Sequence, residues 1–432
     1  MQSAPAQDVG ALVLVGGPSY VGKTAVIDGL IRRGGCFVRP RSFTSRGRRP
    51  AEADGEYLFT TKEHIFRMHE NGEVPTVDVV YGNCYAMDSR AIREILCDGK
   101  IAIKEVHPAN HEKIRRSFPD VISLLMLPLD QAAQAGDGRV PTDRREEDFR
   151  YYSGIDTGAF DIVVYRSPGD SVDDVVAVTE FKISTLVSTM SLFPRPPEIH
   201  RTNVAGYAKV AEQFDDNRRI TTRNFHDLTR SFFQEEIGRL TPGCVCAEVG
   251  PGRGWLRREF DWPSVEYYGI EVCQAMIGTL SEQCLIRADA CAVPFPQRHF
   301  DVVMASLADP YCHPMALTEI WRILKPGGRF VCTAPSAVWA SGTRPAAAQA
   351  KTEFMLDDGS KAEVYSFTYT ADGLCDILKR CGFIIHCSMG LTGHGLGTGI
   401  RISPAITESA ARLGVRVEDL PIVNAVVAGR GE

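Results

Sequence analysis

No stretch of this 432-residue chain approaches 18 uninterrupted apolar residues, so a membrane-crossing helix is not expected. The opening residues MQSAPAQDVG lack the positive start and apolar core of a secretory signal, which points to the cytoplasm. Thirteen cysteines are present, yet none stands in a CxxC pair. Scattered thiols without ligand-type spacing argue against structural zinc and for reduced, mostly buried side chains. A large excess of one charge is missing too. A net charge of −6 argues against nucleic acid as a general partner, although it leaves room for a local basic groove. A small-molecule or nucleotide substrate remains, and the number of chains per assembly is left open.

Residues 191–204 form the clearest break. Pro194, Pro196 and Pro197 favour an extended spacer between a domain over 1–190 and a domain over 205–432. On both sides strand-like runs alternate with helical patterns, at 12–15, 101–103, 121–127 and 160–164, then at 245–249, 267–271, 302–305, 329–333 and 422–428. Such alternation predicts α/β domains with parallel sheets and ligands at the carboxyl ends of strands. Residues 336–366 and the Gly-rich 388–404 interrupt the second alternation, either as pocket-shaping insertions or as long surface loops.

Gly17-Pro18-Ser19-Tyr20-Val21-Gly22-Lys23-Thr24 follows the first apolar run and precedes a helical pattern. This G-x-x-x-x-G-K-T spacing lets backbone N–H groups converge on phosphate oxygens at a helix N-terminus. Gly17, Ser19, Gly22, Lys23 and Thr24 are the expected ATP phosphate contacts, with Thr24 helping to hold Mg²⁺. The stretches Arg41-Ser42-Phe43-Thr44-Ser45-Arg46-Gly47-Arg48-Arg49-Pro50, Asp54-Gly55-Glu56-Tyr57 and Tyr81-Gly82-Asn83-Cys84-Tyr85 then resemble the guanylate kinase family, over roughly residues 10–185.

That resemblance implies a P-loop nucleoside-monophosphate-kinase-like parallel sheet, with Ser42, Arg46, Arg49 and Tyr85 gripping an acceptor phosphate beside Glu105. The departures matter more than the matches. At the positions where the family reads guanine, this chain has Thr76, Met87 and His107, which removes the carboxylate that would accept from the base. Where lid arginines would stand, the chain reads AAQAGDG, leaving Arg139, Arg144 and Arg145 as candidates; Lys23, Arg139 and Arg145 are the expected catalytic cations. The alternative is a domain that binds nucleotide without transferring phosphate.

The second loop is Glu248-Val249-Gly250-Pro251-Gly252-Arg253-Gly254, which alone would suit NAD as well as other nucleosides. Tyr268-Gly269-Ile270-Glu271, Arg287-Ala288-Asp289-Ala290, Phe300-Asp301-Val302-Val303-Met304-Ala305-Ser306 and Leu324-Lys325-Pro326-Gly327-Gly328 follow in order. Together they resemble the class I S-adenosylmethionine-dependent methyltransferases, over about residues 205–430. The resemblance implies a Rossmann-like seven-stranded sheet. It also assigns the cofactor to Glu248, Gly250, Gly252 and Gly254, the ribose to Glu271, the adenine to Asp289 and Ala290, and the methyl region to Ser306. A base is needed only for a weakly acidic acceptor. Asp309, His313, Tyr311, His226 and His394 are the candidates. The resulting expectation is a bifunctional enzyme using S-adenosylmethionine, ATP and Mg²⁺; the competing one is a methyltransferase with a guanylate-kinase-like interaction module.

Overall fold

The computed structural model describes residues 10–48, 57–80, 82–118, 120–130, 142–214, 219–277, 284–344, 350–397 and 399–431, and only the backbone of 80 and 142–145. Two compact units divide at Ser188. Arg49 and Arg139 lie outside the described residues, as do the side chains of Arg144 and Arg145.

The first unit contains β1 (Ala11–Gly16), β2 (Phe37–Val38), β3 (Ser42–Thr44), β4 (Tyr57–Phe59), β5 (Asp78–Val80), β6 (Asn83–Met87), β7 (Ile101–Glu105), β8 (Val121–Pro128) and β9 (Ile162–Arg166). A parallel sheet of order β2-β7-β1-β8-β9 puts β1 at its centre. Every residue of β1 is buried, which is why that run reads as unbroken apolar rather than alternating. The helix Lys23–Arg32 packs Val26, Ile27 and Leu30 inward and begins at the carboxyl end of β1. A smaller sheet, β4-β3-β6-β5, carries Ser42 and Tyr85 on adjacent antiparallel strands.

The second unit contains β10 (Val245–Val249), β11 (Glu266–Glu271), β12 (Leu285–Arg287), β13 (Phe300–Ala305), β14 (Leu324–Pro335), β15 (Lys351–Met355), β16 (Lys361–Tyr365), β17 (Phe383–Thr392) and β18 (Pro421–Arg430). Its main sheet has seven strands in the order β12-β11-β10-β13-β14-β18-β17. β18 runs antiparallel to both neighbours, so the sheet is mostly rather than wholly parallel. The strand order reverses direction between β10 and β13, opening the crevice where a ligand can sit. Phe300, Val303, Phe330 and Leu317 fill the core beneath that crevice.

One expectation is corrected. Residues 191–204 are not an extended spacer: a helix spans Pro196–Val210. Pro196 and Pro197 occupy its first turn, where a missing N–H breaks no intrahelical bond. The helix is tied down by Ile199 in the core, by Asn203 Oδ1 accepting from the Tyr365 N–H at 2.6 Å, and by the Tyr365 hydroxyl donating to Glu198. Of the two readings left open for 336–366 and 388–404, the long surface loop is the one that does not hold. The first holds the helix Ala337–Ser341 and the β15–β16 hairpin, and β17 continues through Thr392 because β18 supplies its hydrogen-bond partners.

Candidate functional sites

The first loop has the shape its glycines allow. Gly17 and Gly22 take φ of 147° and 100°, values that L side chains rarely adopt. A Cβ on Gly22 would also lie 2.3 Å from the Arg166 guanidinium, which donates to the Val21 carbonyl at 3.0 Å. Tyr20 is held at φ 63°, and its ring is exposed. The ammonium of Lys23 donates to the carbonyls of Gly17 and Pro18 at 2.9 and 2.8 Å and pairs with Glu105 at 3.2 Å. Thr24 Oγ1 donates to the other oxygen of Glu105, also at 3.2 Å.

Glu105 therefore stands against the first loop, touching both Lys23 and Thr24. A carboxylate there repels phosphate but attracts a divalent cation. The Ser19 N–H, one of the loop's anion donors, is taken by Asp148 Oδ2 at 2.8 Å.

Ser42 is buried, and its hydroxyl has no partner among the described residues. Arg46 lies over the Tyr57 ring at 4.8 Å, and Tyr57 meets Tyr85 edge-on at 6.3 Å. Ser42, Arg46 and Tyr85 are thus carried by one small sheet and its flanking turn. Thr76 and Met87 are both buried. The carboxylate missing at Thr76 has a neighbour that sequence reasoning passed over. Asp78 is two residues further along, at the start of β5, and Asn110 donates to it. Burial pushes its carboxyl above the usual range. His107 packs against Tyr151 with the rings tilted at 55° and centroids 4.8 Å apart, and its Nδ1 accepts from the Ala109 N–H at 3.3 Å.

In the second loop Gly250, Gly252 and Gly254 adopt φ of 66°, 53° and 76°. Glu271 ends β11 fully buried, accepting from the Gly252 N–H at 3.2 Å and the Cys273 N–H at 2.9 Å. Glu248, also buried, accepts from the Tyr267 hydroxyl at 2.6 Å, and desolvation pushes its carboxyl up to about 7. Glu248, Gly250, Gly252, Glu271 and Ser306 line one cleft, and Ser306 Oγ is buried with no partner among the described residues. This donor set suits a nucleoside: hydroxyls for a carboxylate, backbone that can be approached closely, and an orphan hydroxyl beyond β13.

Asp289 is partly buried, and both of its oxygens have protein partners. One oxygen accepts from the Cys291 N–H at 2.8 Å, and the other is 2.7 Å from His200 Nδ1, on the helix mistaken for a spacer. Ala290 packs into the core beside it. Leu307, just past β13, is held at φ 53°, a strained conformation for a branched side chain. It lines both the loop cleft and a larger adjoining cavity.

The base candidates separate. His313 is buried with both ring nitrogens engaged, at the Pro194 carbonyl and the Met315 N–H. His394 sits on the Gly393–Gly395 turn and lines neither cavity. His226 stacks on Trp255 at 4.1 Å, and burial lowers its imidazolium to about 3, leaving it neutral. The Tyr311 ring lies against the Gly250 backbone. Asp309 lines the larger cavity and, with its carboxyl raised to about 6 by desolvation, remains ionised at neutral pH.

A P-loop sheet with a phosphate cradle and a seven-stranded crevice sheet with a glycine loop define two nucleotide-handling enzyme classes in one chain. Comparison with known proteins names them. The guanylate kinase family model matches residues 10–147 and a methyltransferase domain model matches 247–332. Guanylate kinase from Aromatoleum aromaticum is 30% identical over 178 residues, 39% of this chain and 87% of that enzyme. Guanylate kinase from Symbiobacterium thermophilum is 32% identical over 29% of this chain and 59% of its own length. Solved S-adenosylmethionine dependent methyltransferase from Mesorhizobium loti aligns over 47% of this chain and 98% of its own, at 19% identity and TM-score 0.31. Through its N-terminal half the chain belongs to the guanylate kinase family, and its C-terminal half carries a methyltransferase domain.

Proposed function

We propose that the protein transfers a methyl group from S-adenosylmethionine to a small molecule or nucleotide and, in its N-terminal unit, phosphorylates a phosphate-bearing acceptor, not strictly GMP, with ATP and Mg²⁺. The methyl-transfer reading rests on one observation above others: three left-handed glycines beside the buried carboxylate of Glu271. When bound, the donor supplies a sulfonium-activated methyl group. Glu271 receives the ribose hydroxyls, Asp289 held by His200 fixes the base side, and Ser306 faces the methyl region. The surrounding rings exclude water, and Leu307 lines both cavities.

In the first unit Lys23 exchanges its loop carbonyls for phosphate oxygens, Thr24 and Glu105 hold the Mg²⁺ shell, and Ser42, Arg46 and Tyr85 take the acceptor phosphate. Loss of the guanine-reading carboxylate at Thr76 supports an altered acceptor. A non-catalytic nucleotide-binding module is favoured by one contact, the Asp148 carboxylate occupying the Ser19 N–H. The full chain is incubated with methyl-labelled donor, ATP, nucleoside monophosphates and a metabolite extract, and the products are read by mass spectrometry. ATP turnover lost in Lys23→Ala supports the kinase. ATP binding without turnover on any acceptor leaves the module, and no donor binding to folded protein sinks the methyl-transfer reading.

A further inference from the structure

The cavity beyond Leu307 encloses about 830 Å³, room for a drug-sized body. Its walls are rings from four separate elements: Tyr207, Phe225, Trp339 and Phe354. Its charged lining residues are three cations and four carboxylates, an acidic balance. Each of those cations is already engaged. Arg219 donates to the carbonyls of Gln213 at 2.8 Å and Met355 at 3.4 Å, and Lys351 pairs with Glu363 at 2.7 Å. Arg344 donates to the carbonyl and hydroxyl of Ser366 at 3.2 and 2.9 Å. Of the carboxylates, Glu353 pairs with Lys361 at 2.6 Å and Glu363 with Lys351, so a phosphate entering here would meet donors already occupied and a lining with no excess of positive charge. An uncharged or cationic ring meets aromatic faces and acids instead.

Resting on the methyl-transfer reading, we propose that this cavity is the methyl-acceptor site, that it takes an uncharged or cationic ring-bearing small molecule rather than a nucleotide, and that Asp309 is the catalytic base at its inner end. Asp309 sits three residues beyond Ser306, on the turn that Leu307 opens between cleft and cavity. As the acceptor oxygen or nitrogen bonds to the methyl carbon, its proton passes to the Asp309 carboxylate. The carbon–sulfur bond breaks with its electron pair kept by sulfur, and the proton then leaves to solvent. Arg344 and the hydroxyls of Ser366, Tyr207 and Tyr311 face Asp309, and Cys312 adjoins it. Of these, only Asp309 changes charge between pH 5 and 8, with its carboxyl at about 6.

The full chain is loaded with S-adenosylhomocysteine and titrated calorimetrically with tryptamine, 2-naphthol, AMP and GMP. Tryptamine or 2-naphthol binds, Trp339→Ala weakens that binding by about tenfold, and Trp339→Phe restores most of it. Any AMP or GMP binding is indifferent to both variants. In Asp309→Asn, labelled methyl transfer to the bound probe falls roughly 100-fold while S-adenosylhomocysteine affinity, which reports folding, is kept. Wild-type transfer rises with pH through about 6 and the variant's residual rate is flat. Failure of both ring probes to bind the loaded chain, or a nucleotide whose binding Trp339→Ala abolishes, overturns the acceptor class. Full transfer in Asp309→Asn overturns the base. Failure of S-adenosylhomocysteine itself to bind is a separate result and removes the methyl-transfer reading.

Discussion

The Ser19 backbone N–H donates to Asp148 at 2.8 Å, so a carboxylate from the helix Thr142–Tyr152 occupies an N–H that the proposed nucleotide site assigns to a phosphate oxygen. An anion-binding N–H is thereby satisfied by the protein's own acid, with Lys23 folded onto loop carbonyls to match. Nucleotide must displace both. Asp148→Ala removes one competitor, and a charge-assisted hydrogen bond of about 1–2 kcal/mol predicts ATP·Mg binding roughly tenfold tighter. Calorimetric titration decides it. Equal or weaker binding would mean that Asp148 supports the nucleotide site instead of competing for it.

The pair His200–Asp289 plays the corresponding role in the second unit. His200 holds the carboxylate at 2.7 Å and also anchors the helix Pro196–Val210, which carries Tyr207 to the cleft. His200→Ala frees Asp289 to rotate and loosens that helix, and S-adenosylmethionine binding weakens about tenfold. His200→Gln, which keeps a donor, recovers part of the loss. Unchanged affinity in the alanine variant would show that Asp289 needs no partner.

Much of this arrangement was legible in the chain, for identifiable reasons. Buried central strands such as β1 and β10 announce themselves as apolar runs, and the glycine loops after them as residues only a left-handed backbone requires. Thr76, Met87 and His107 stood out because they broke a resemblance. What escaped were partners distant in sequence. His200 meets Asp289 across 89 residues and Ser19 meets Asp148 across 129, with no local pattern to link them. The proline-rich stretch misled because Pro breaks a helix interior yet suits its first turn. Asp78 was hidden by attention to a fixed position, although it stands only two residues beyond Thr76, at the start of β5.

Gly250 faces two constraints. Its φ of 66° disfavours any side chain, and a Cβ there would lie 2.3 Å from the Tyr311 ring. Gly250→Ala is therefore expected to cost about 1–2 kcal/mol in backbone strain alone and to push Tyr311 aside. S-adenosylmethionine affinity drops by roughly tenfold or more. Adding Tyr311→Ala relieves the collision but not the strain, so the double variant recovers only part of the binding. A single variant that binds normally would exclude this loop from the donor site.

Glu248 supplies a pH test of the second unit alone, because all four tryptophans, at 255, 262, 321 and 339, lie in it and report its unfolding by fluorescence. The buried carboxyl holds its proton to about pH 7, against 4.5 for an ordinary glutamate. The folded state therefore binds a proton that the unfolded chain releases earlier. Its favourable contribution is complete below about pH 4.5 and is lost as pH rises to 7, where the ionised form costs on the order of 3 kcal/mol. Glu248→Gln keeps an acceptor for the Tyr267 hydroxyl but has no proton to lose. The variant is expected to gain stability over wild type between pH 5 and 7.5, seen as a widening gap between their urea midpoints. Parallel curves across that range would place the Glu248 carboxylate in contact with water or with a cation that the buried geometry does not allow.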